Sequence, residues 1–238
     1  MNPFLKAYWK NLLLLNYTID EAILKPYLPK GAELDSFNGK CYASLVGFMF
    51  LDTTIKGVAF PYHRNFEEVN LRIYVRFKDG NHWKCGVVFV KEIVPRKMIT
   101  IVANLLYGEK YYCMPMKNSL IETKDFFEVK YEWLFNNQWN YLQATAEKDT
   151  SPVVEGSEEE FITAHYWGYS SINENTTSEY RVNHPKWQVH RVLSYDLDCN
   201  IGKLYGKEFM EPLSQQPTSV LLAQGSAVSI DHRKVWKY

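Results

Sequence analysis

Residues 66–77 read Phe-Glu-Glu-Val-Asn-Leu-Arg-Ile-Tyr-Val-Arg-Phe, and this alternation is the main indicator of the fold class. Successive side chains of a β-strand point to opposite faces, so the stretch predicts a strand with one apolar and one polar face. The apolar face carries Val69, Leu71, Ile73, Val75 and Phe77. The polar face carries Glu68, Asn70, Arg72, Tyr74 and Arg76. Such a polar row either faces water or lines a pocket that orients a small polar ligand.

The composition predicts one folded domain that spans residues 1–238. Hydrophobic residues make up 46% of the chain and aromatic residues 16%, including 17 tyrosines and 7 tryptophans. Aromatic residues are enriched in strands and in the walls of apolar pockets. Residues 151–160 are polar and predict a surface loop, but apolar strands continue on both sides of it. No internal repeat or linker divides the chain.

The balance of charges argues against a nucleic-acid partner. The 27 lysines and arginines are matched by 27 acidic residues and are scattered among them, whereas a nucleic-acid surface needs a basic stripe. The apolar run at residues 12–15 is too short for a membrane span or a signal-peptide core. We therefore expect neither a nucleic-acid nor a membrane partner, while a homo-oligomer is compatible with the sequence.

The cysteines indicate a reducing compartment. They are spread along the chain without a paired motif, as Cys41, Cys85, Cys113 and Cys199. In a chain of this length they are typical of buried free thiols in a cytoplasmic protein, and a thiolate zinc site is not expected.

Turn signals predict three hairpins. The turns are Asn38-Gly39, Asp79-Gly80 and Asn136-Asn137, and each lies between stretches with strand character. Pairs of this kind suit tight hairpin turns because their residues tolerate positive φ. Further strands are predicted at residues 179–182, 187–197, 219–223 and 227–231. At least eight strands with mostly local turns predict a mainly β (α+β) fold, an antiparallel barrel or sandwich.

A few helices are predicted to flank these strands. Thr18–Glu21 and Ser157–Glu160 are capping-box sequences, and each predicts the start of a short helix. Pro95 opens a longer segment with apolar residues at helical spacing, and Gly108 suits its end. Residues 201–210 predict a weaker helix.

The predicted helix start at Pro95-Arg96-Lys97 is the first candidate site. Free backbone N–H groups there favour an anion, and Arg96 and Lys97 add two cations. Crowded positive charge also disfavours a protonated amine, so Lys97 could instead be a nucleophile that forms a Schiff base. The alternative is a solvated surface turn in which Glu92, just upstream, partners the cations.

The polar face of residues 66–77 is the second candidate site. Glu68, Asn70 and Arg72 supply a carboxylate, an amide and a guanidinium, which together can hold both ends of a small polar molecule. Tyr74 would help to orient it. The same groups could equally satisfy one another in a structural network.

No motif predicts a metal or a cofactor. The six histidines lack the spacing of a metal-binding helix, and His165, at the end of the second capped helix, is predicted to cap or pack. The nucleophile-elbow, P-loop and dinucleotide-binding glycine motifs do not occur. We therefore predict no metal site and no cofactor.

Several segments resemble the uncharacterised YqjF-like domain family. The resemblance rests on Phe66–Val75, Gly86–Phe89, Leu106-Tyr107 with Tyr111 and Met116, Glu160–Tyr169 and His184–Trp187. Tyr27-Leu-Pro29, Leu34-Asp35 and Gly39 fit as well, so the resemblance spans nearly the whole chain.

That family is grouped with the acetoacetate decarboxylase-like proteins, so the resemblance implies a β-barrel-like fold around a small internal cavity, but no activity. The decarboxylases carry a proline followed by two lysines, of which the first forms the Schiff base. Here Pro95 is followed by Arg96, which cannot form one at ordinary pH, and then by Lys97, which matches the second lysine. The resemblance aligns Glu68 with the decarboxylase glutamate.

Three hypotheses about function follow, and enzyme activity stays open among them. In the first, the protein binds a small organic acid or similar metabolite in an internal pocket. The ligand-binding candidates are Glu68, Asn70, Arg72, Tyr74, Arg96 and Lys97. Arg72 or Arg96 would hold the acidic group, and Glu68 would fix the arginine or accept a proton.

The two other hypotheses belong to different classes. The second is a lysine-dependent lyase, either a decarboxylase or an aldol-type dehydratase, that uses Lys97. The third is a non-catalytic interaction module with an exposed aromatic cluster, formed by Tyr166, Trp167, Tyr169 and Trp187.

Overall fold

The alternating stretch forms a strand, Phe66–Asp79, that pairs with a neighbour on each side. The computed structural model describes residues 3–238. Its strands are β1 Leu5–Thr18, β2 Ala32–Leu34, β3 Tyr42–Ile55, β4 Phe66–Asp79, β5 His82–Val94, β6 Tyr111–Cys113, β7 Met116–Glu122, β8 Phe126–Phe135, β9 Gln138–Pro152, β10 Trp167–Asn173, β11 Thr176–Asn183, β12 Gln188–Asp198, β13 Ser219–Ile230 and β14 Lys234–Lys237. Its α-helices are α1 Glu21–Leu24, α2 Lys97–Tyr107, α3 Glu158–Thr163, α4 Ile201–Leu204 and α5 Met210–Ser214.

Seven of the strands close into a ring. Their order is β11-β10-β5-β4-β3-β1-β13, and β13 pairs back with β11 through Val182↔Ile230 and Asn183↔Ser229. From β13 the sheet continues through β12, β9 and β8 to β7. Most pairings are antiparallel, whereas β5 runs parallel to both β10 and β6. The predicted mainly β fold with flanking helices is confirmed.

Ring closure gives β4 two buried faces. Val69 and Leu71 belong to an apolar core that they share with Trp133 of the β8–β9 hairpin, on the outer side of the ring. Phe66, on the opposite face, belongs to a second core inside the ring, which it shares with Phe48 of β3. Side chains that alternate along β4 therefore enter two different cores.

Two of the three predicted hairpins are confirmed. β8 and β9 join at Asn136 and Asn137, which have φ of 51° and 60°. β4 and β5 turn through Gly80, with φ of 61°, after Asp79 pairs with His82. Both turns need positive φ, which asparagine and glycine tolerate better than other residues.

The pairing predicted around Asn38-Gly39 is wrong. These residues do form a tight turn, closed by Phe37 and Lys40. However, Phe37 and Lys40 form only an isolated bridge. The strand before the turn, β2, pairs with β4 rather than with β3. Residues 219–231, predicted as two strands, form the single strand β13 up to Ile230.

The longest helix begins and ends where the sequence indicates. Arg96 is the N-terminal cap of α2, and Gly108, with φ of 71°, ends it. Ser157 caps α3 by accepting a hydrogen bond from the Glu160 N–H, as predicted. No helix within residues 3–238 has the length and apolar composition needed to cross a membrane.

The two weaker helix predictions need correction. Asp20, not Thr18, caps α1, because its carboxylate accepts a hydrogen bond from the Ala22 N–H. Residues 201–210 are not one helix but α4, a 3-10 turn and the first residue of α5. Gly206 interrupts them with φ of 125°, which an α-helix does not accommodate.

Gly225→Ala should destabilise the protein more than Gly156→Ala. Both glycines have positive φ, of 87° and 74°, so alanine strains the backbone similarly at each. A Cβ at residue 225 would also collide with the Trp9 carbonyl oxygen across the β1–β13 pairing, whereas the space around residue 156 is open. We expect the free energy of unfolding, measured by urea denaturation, to fall by about 2–4 kcal/mol in Gly225→Ala and by about 1 kcal/mol in Gly156→Ala. Equal losses would contradict this packing.

Candidate functional site

The polar row of β4 is buried inside the ring. Exposure is 2% for Glu68, 2% for Asn70, 9% for Arg72 and 1% for Tyr74. These side chains share the face of Phe66, which packs in the inner core. Arg76 does not join them, because it is only partly buried and pairs with Glu33 at 3.2 Å. The geometry therefore contradicts the alternative of a strand whose polar face is wet.

A directed chain of hydrogen bonds starts at Arg72. Its Nε donates to the Tyr74 hydroxyl at 3.3 Å. Ser44 Oγ lies 2.6 Å from that hydroxyl and donates its own proton to Asn16 Oδ1, also at 2.6 Å. The tyrosine must therefore donate to the serine, which leaves its oxygen lone pairs for Arg72.

The chain continues from Asn16 to a carboxylate. Asn16 Nδ2 donates to Ser219 Oγ at 2.9 Å, and Ser219 donates to Glu158 Oε1 at 2.6 Å. We call the series Arg72, Tyr74, Ser44, Asn16, Ser219 and Glu158 the relay. It crosses the four adjacent strands β4, β3, β1 and β13 and ends at α3.

Arg72 is a buried cation that lacks a close carboxylate. Its Nη2 donates to the Ile162 carbonyl at 3.3 Å, and its guanidinium lies 5.4 Å from the Tyr74 ring centroid. No carboxylate oxygen of residues 3–238 lies within 4.0 Å of its nitrogens. The partners of this charge in the described chain are thus neutral acceptors and an aromatic face.

A small chamber of about 30 Å³ adjoins Arg72. It is lined by Trp9, Arg72, Val87, Phe89, Thr163, His165, Trp167, Gly168, Tyr180, Val182, His184 and Trp187. His184 stacks on Trp187 with ring centroids 4.1 Å apart. Burial, together with the charge of Arg72, lowers the pKa of His184.

His184 also lines an open groove of about 630 Å³ on the surface. Two cationic side chains, Lys6 and Arg181, line the same groove. One histidine therefore borders both the small chamber and the open groove, and the groove carries positive charge.

Three buried carboxyl groups lie on the other side of the ring interior. We call Glu68, Glu92, Glu109, Tyr111 and Tyr180 the acid cluster. Glu68 accepts hydrogen bonds from Asn70 Nδ2 and from the Tyr111 hydroxyl, each at 2.8 Å. One oxygen each of Glu92 and Glu109 has no hydrogen-bond partner among the described residues. Tyr180 belongs to this cluster and also lines the Arg72 chamber.

Burial shifts the carboxyl groups of the acid cluster toward their protonated form. Burial raises the pKa of Glu68 to about 7 and that of Glu109 to about 8. Burial and the charges of Glu109 and Glu68 raise the pKa of Glu92 well above its usual range. The charges of Arg72 and Lys110 lower the pKa values of Glu68 and Glu109, respectively, but burial outweighs them. Burial thus favours the neutral acid form in all three groups, and Glu68, with a pKa of about 7, is about half protonated at neutral pH.

The two cations at the start of α2 do not join the interior residues. Arg96 is partly buried, with its Nη2 3.5 Å from the Asn65 carbonyl oxygen, and Lys97 is exposed. The expectation that Glu92 partners them is wrong, because its side chain enters the ring and faces Glu109 and Glu68. The structure thus separates the two sequence candidates into an interior and a surface region.

The aromatic cluster of the interaction hypothesis is largely buried. Tyr169 is 0% exposed and Trp187 4% exposed, while Tyr166 and Trp167 are partly buried. The four cysteines are free thiols, but the prediction that they are buried holds fully only for Cys41, since Cys85 and Cys199 are partly buried and Cys113 is exposed.

Sequence reasoning missed Glu92, Glu109, Tyr111, Tyr180 and His184 as interior residues. They lie on or beside β5, β6, β11 and the end of α2, so tertiary pairing alone brings them together. One signal was present for Glu92. Lys91 and Glu92 follow each other in an apolar strand, so alternation must turn one of the two charges inward.

The fold is that of the acetoacetate decarboxylase-like proteins. The enduracididine biosynthesis enzyme MppR matches with a TM-score of 0.71 at 10% identity, over 100% of this chain and 89% of MppR. The acetoacetate decarboxylase of Legionella pneumophila matches with 0.66 at 13% identity, over 98% and 87%. An acetoacetate decarboxylase-like enzyme of Sphingomonas wittichii matches with 0.68 at 11%, over 100% and 94%. At these identities the likeness establishes the fold alone.

Within that fold, the chain belongs to the DUF2071 family, described as an uncharacterized conserved protein, whose model matches residues 6–227. The uncharacterized protein YqjF of Bacillus subtilis is 27% identical over 115 residues, which are 48% of this chain and 46% of YqjF. The match thus spans about half the length of this relative. The resemblance to the YqjF-like family is confirmed.

Stability should fall as the pH rises from about 5 to about 8.5. The carboxyls of the acid cluster have folded-state pKa values above the 4.5 of a free glutamate, so the folded state binds more protons than the unfolded state in this range. Their contribution is present at acidic pH and is lost as the pH rises through the folded values of about 7 and 8. Each retained proton is worth about 1.4 kcal/mol per pH unit.

Glu92→Gln, an uncharged mimic of the acid, should flatten this decline. The measurement is chemical denaturation of wild type and variant at pH 5, 7 and 8.5. Glu155→Gln changes an exposed glutamate and serves as the matched control. A wild-type stability that rises between pH 7 and pH 8.5, above the range in which the lowered pKa of His184 acts, would show that the cluster is ionised in the fold.

Proposed function

We propose that the protein binds a small organic acid whose carboxylate sits on Arg72 inside the ring. The observation that carries this proposal is a guanidinium that is 9% exposed and has no carboxylate within ion-pairing distance among residues 3–238. A buried charge without a partner is costly, and a bound anion would supply the missing partner.

Arginine suits this role because of its geometry. Its planar group donates two parallel hydrogen bonds to a carboxylate, and in a desolvated site such bonds are stronger than neutral ones. The relay fixes Nε on Tyr74, and Ile162 accepts from Nη2, so the orientation of the guanidinium is set before a ligand arrives. Tyr74 thus positions the arginine.

The cavities indicate how the ligand would lie. A chamber of about 30 Å³ has room for one small polar group, so it would take the carboxylate head. The rest of the acid would pass His184 toward the groove of about 630 Å³. Lys6 and Arg181 in that groove would raise the local concentration of anions.

Two further observations support a short acid in a reducing compartment. The fold neighbour MppR was solved with pyruvate bound, which makes pyruvate the natural first probe. Free thiols at all four cysteines favour a cytoplasmic location.

Arg72→Met should weaken the binding of pyruvate or a related keto acid about 10–100-fold. A hydrogen-bonded charge pair contributes about 1.5–3 kcal/mol, which corresponds to that range. Arg72→Lys keeps the charge but cannot donate two parallel hydrogen bonds to the carboxylate. Its affinity should therefore fall between those of wild type and Arg72→Met. Calorimetry and ligand-dependent melting measure the effect.

Arg76→Met is the matched control, because Arg76 lies on the same face of the same strand but already pairs with Glu33. It should bind like wild type, and the uncharged methyl ester of the acid should bind to neither protein. Equal binding by Arg72→Met and wild type would remove Arg72 from the site. Borohydride trapping of a keto acid on Lys97 would replace this proposal with the lyase hypothesis.

A further inference from the structure

A second group of polar side chains lies beside the chamber, at the edge of the ring. Asp35 follows β2, Cys85 lies in β5, and His165 follows α3. One ligand atom from each lies within 4.8 Å of the other two. His165 Nε2 is 3.1 Å from Asp35 Oδ2, and these two side chains are 3% and 14% exposed.

Backbone hydrogen bonds hold the three segments together independently of any ion. The Asp35 N–H donates to the Tyr74 carbonyl of β4 at 3.0 Å. The Tyr166 N–H donates to the Cys85 carbonyl at 3.1 Å, which fixes the residue after His165 onto β5. Backbone pairing to the strands β4 and β5 thus pre-organises the cluster, as a binding site requires.

The hydrogen bonds of His165 direct one ring nitrogen to the centre of the cluster. Nδ1 lies 2.6 Å from the Phe161 carbonyl oxygen, which can only accept, so Nδ1 carries a proton. Nε2 faces the carboxylate of Asp35, a second acceptor. Nε2 therefore needs either a second proton or a metal ion. A histidine whose far nitrogen donates to a carbonyl is the usual arrangement of a metal ligand.

We propose that Asp35, Cys85 and His165 form a binding site for Zn²⁺ or a similar borderline-soft divalent cation. One sulfur, one imidazole nitrogen and one carboxylate oxygen are the donors that zinc prefers. Bonds of about 2.0–2.3 Å to a tetrahedral ion place the donor atoms roughly 3.3–3.7 Å apart, so small side-chain rotations suffice. Three protein ligands leave a fourth position open, as in catalytic zinc sites.

The charges balance in the loaded state. Zn²⁺ binding forms a Zn–S bond and releases the Cys85 thiol proton to solvent, without oxidation or reduction. A thiolate and a carboxylate then neutralise the dication, so the site adds no net charge beside Arg72. The empty site is a poor nucleophile, because burial and the charge of Asp35 raise the pKa of Cys85 to about 11. A cysteine-based catalytic role without metal is therefore disfavoured.

The site borders the chamber without depending on it. His165 lines the chamber, and its ring centroid lies 5.0 Å from that of Tyr74. The sequence predicted no metal, because the three ligands lie 50 and 80 positions apart in the chain and no motif connects them.

Metal titration of the full chain tests the site. Protein stripped with a chelator under reducing conditions should bind one equivalent of Co²⁺, with a thiolate-to-cobalt charge-transfer band and visible bands of four-coordinate cobalt. One equivalent of Zn²⁺ should displace it and release protons. Cys85→Ser should abolish the charge-transfer band. His165→Gln should weaken Zn²⁺ binding by more than the roughly 10–100-fold expected when a supporting group is lost.

Cys113→Ser is the matched control, because it removes an exposed thiol on β6, and it should bind both metals like wild type. If Cys85→Ser does not fold, Asp35→Asn should still weaken Zn²⁺ binding while the cobalt–thiolate band remains. Arg72→Met should retain metal binding, which separates this proposal from the one on organic acids. Absence of the band at one equivalent, or a band that survives Cys85→Ser, would leave an ordinary Asp35–His165 ion pair and overturn the proposal.

Discussion

The relay between Arg72 and Glu158 is the interaction on which the ring interior depends. Each neutral member passes one hydrogen bond in the same direction, from the guanidinium to the carboxylate. Reversing one hydroxyl or amide would leave a buried donor or acceptor without a partner, at a cost of about 1–3 kcal/mol. Because its members lie on four adjacent strands and on α3, the relay also fixes the register of those strands against each other.

Burial disfavours every charge inside the ring, but the acids and the arginine respond to it differently. The acid cluster reduces the cost of burial by retaining protons, since burial raises the pKa of each of its carboxyl groups. Arg72 cannot become neutral in this way, since a guanidinium does not lose its proton in a protein. Arg72 therefore keeps its full charge at neutral pH, whereas protonation removes part of the negative charge of the acid cluster. This imbalance favours an anion over a cation or a neutral ligand on Arg72.

Local sequence patterns predicted the strands but not the environment of the site. Alternation in residues 66–77 assigned each side chain of β4 to its face, and Asn136-Asn137 and Gly108 marked a turn and a helix end through their positive φ. Whether the polar face met water depended on the pairing of β11 with β13, which no local pattern encodes. For the same reason, the sequence did not predict that Glu109, at the end of α2, joins the acid cluster. It also did not predict that β2 pairs with β4.

The positions of the lysines argue against a covalent bond between a lysine and a ligand in the chamber. Lys97 is exposed on α2, outside the chamber. Burial lowers the pKa of Lys91 and Lys110, which favours the reactive amine form, but neither lysine lines the chamber beside Arg72. Lys91 donates to the Leu204 carbonyl, and Lys110 lies over the Tyr27 ring, on the outer side of the ring of strands. In the described chain the cation that faces the chamber is an arginine, which can hold a carboxylate electrostatically but cannot form an imine. On the proposal made above, ligand recognition therefore relies on charge and hydrogen-bond geometry rather than on a covalent bond to lysine.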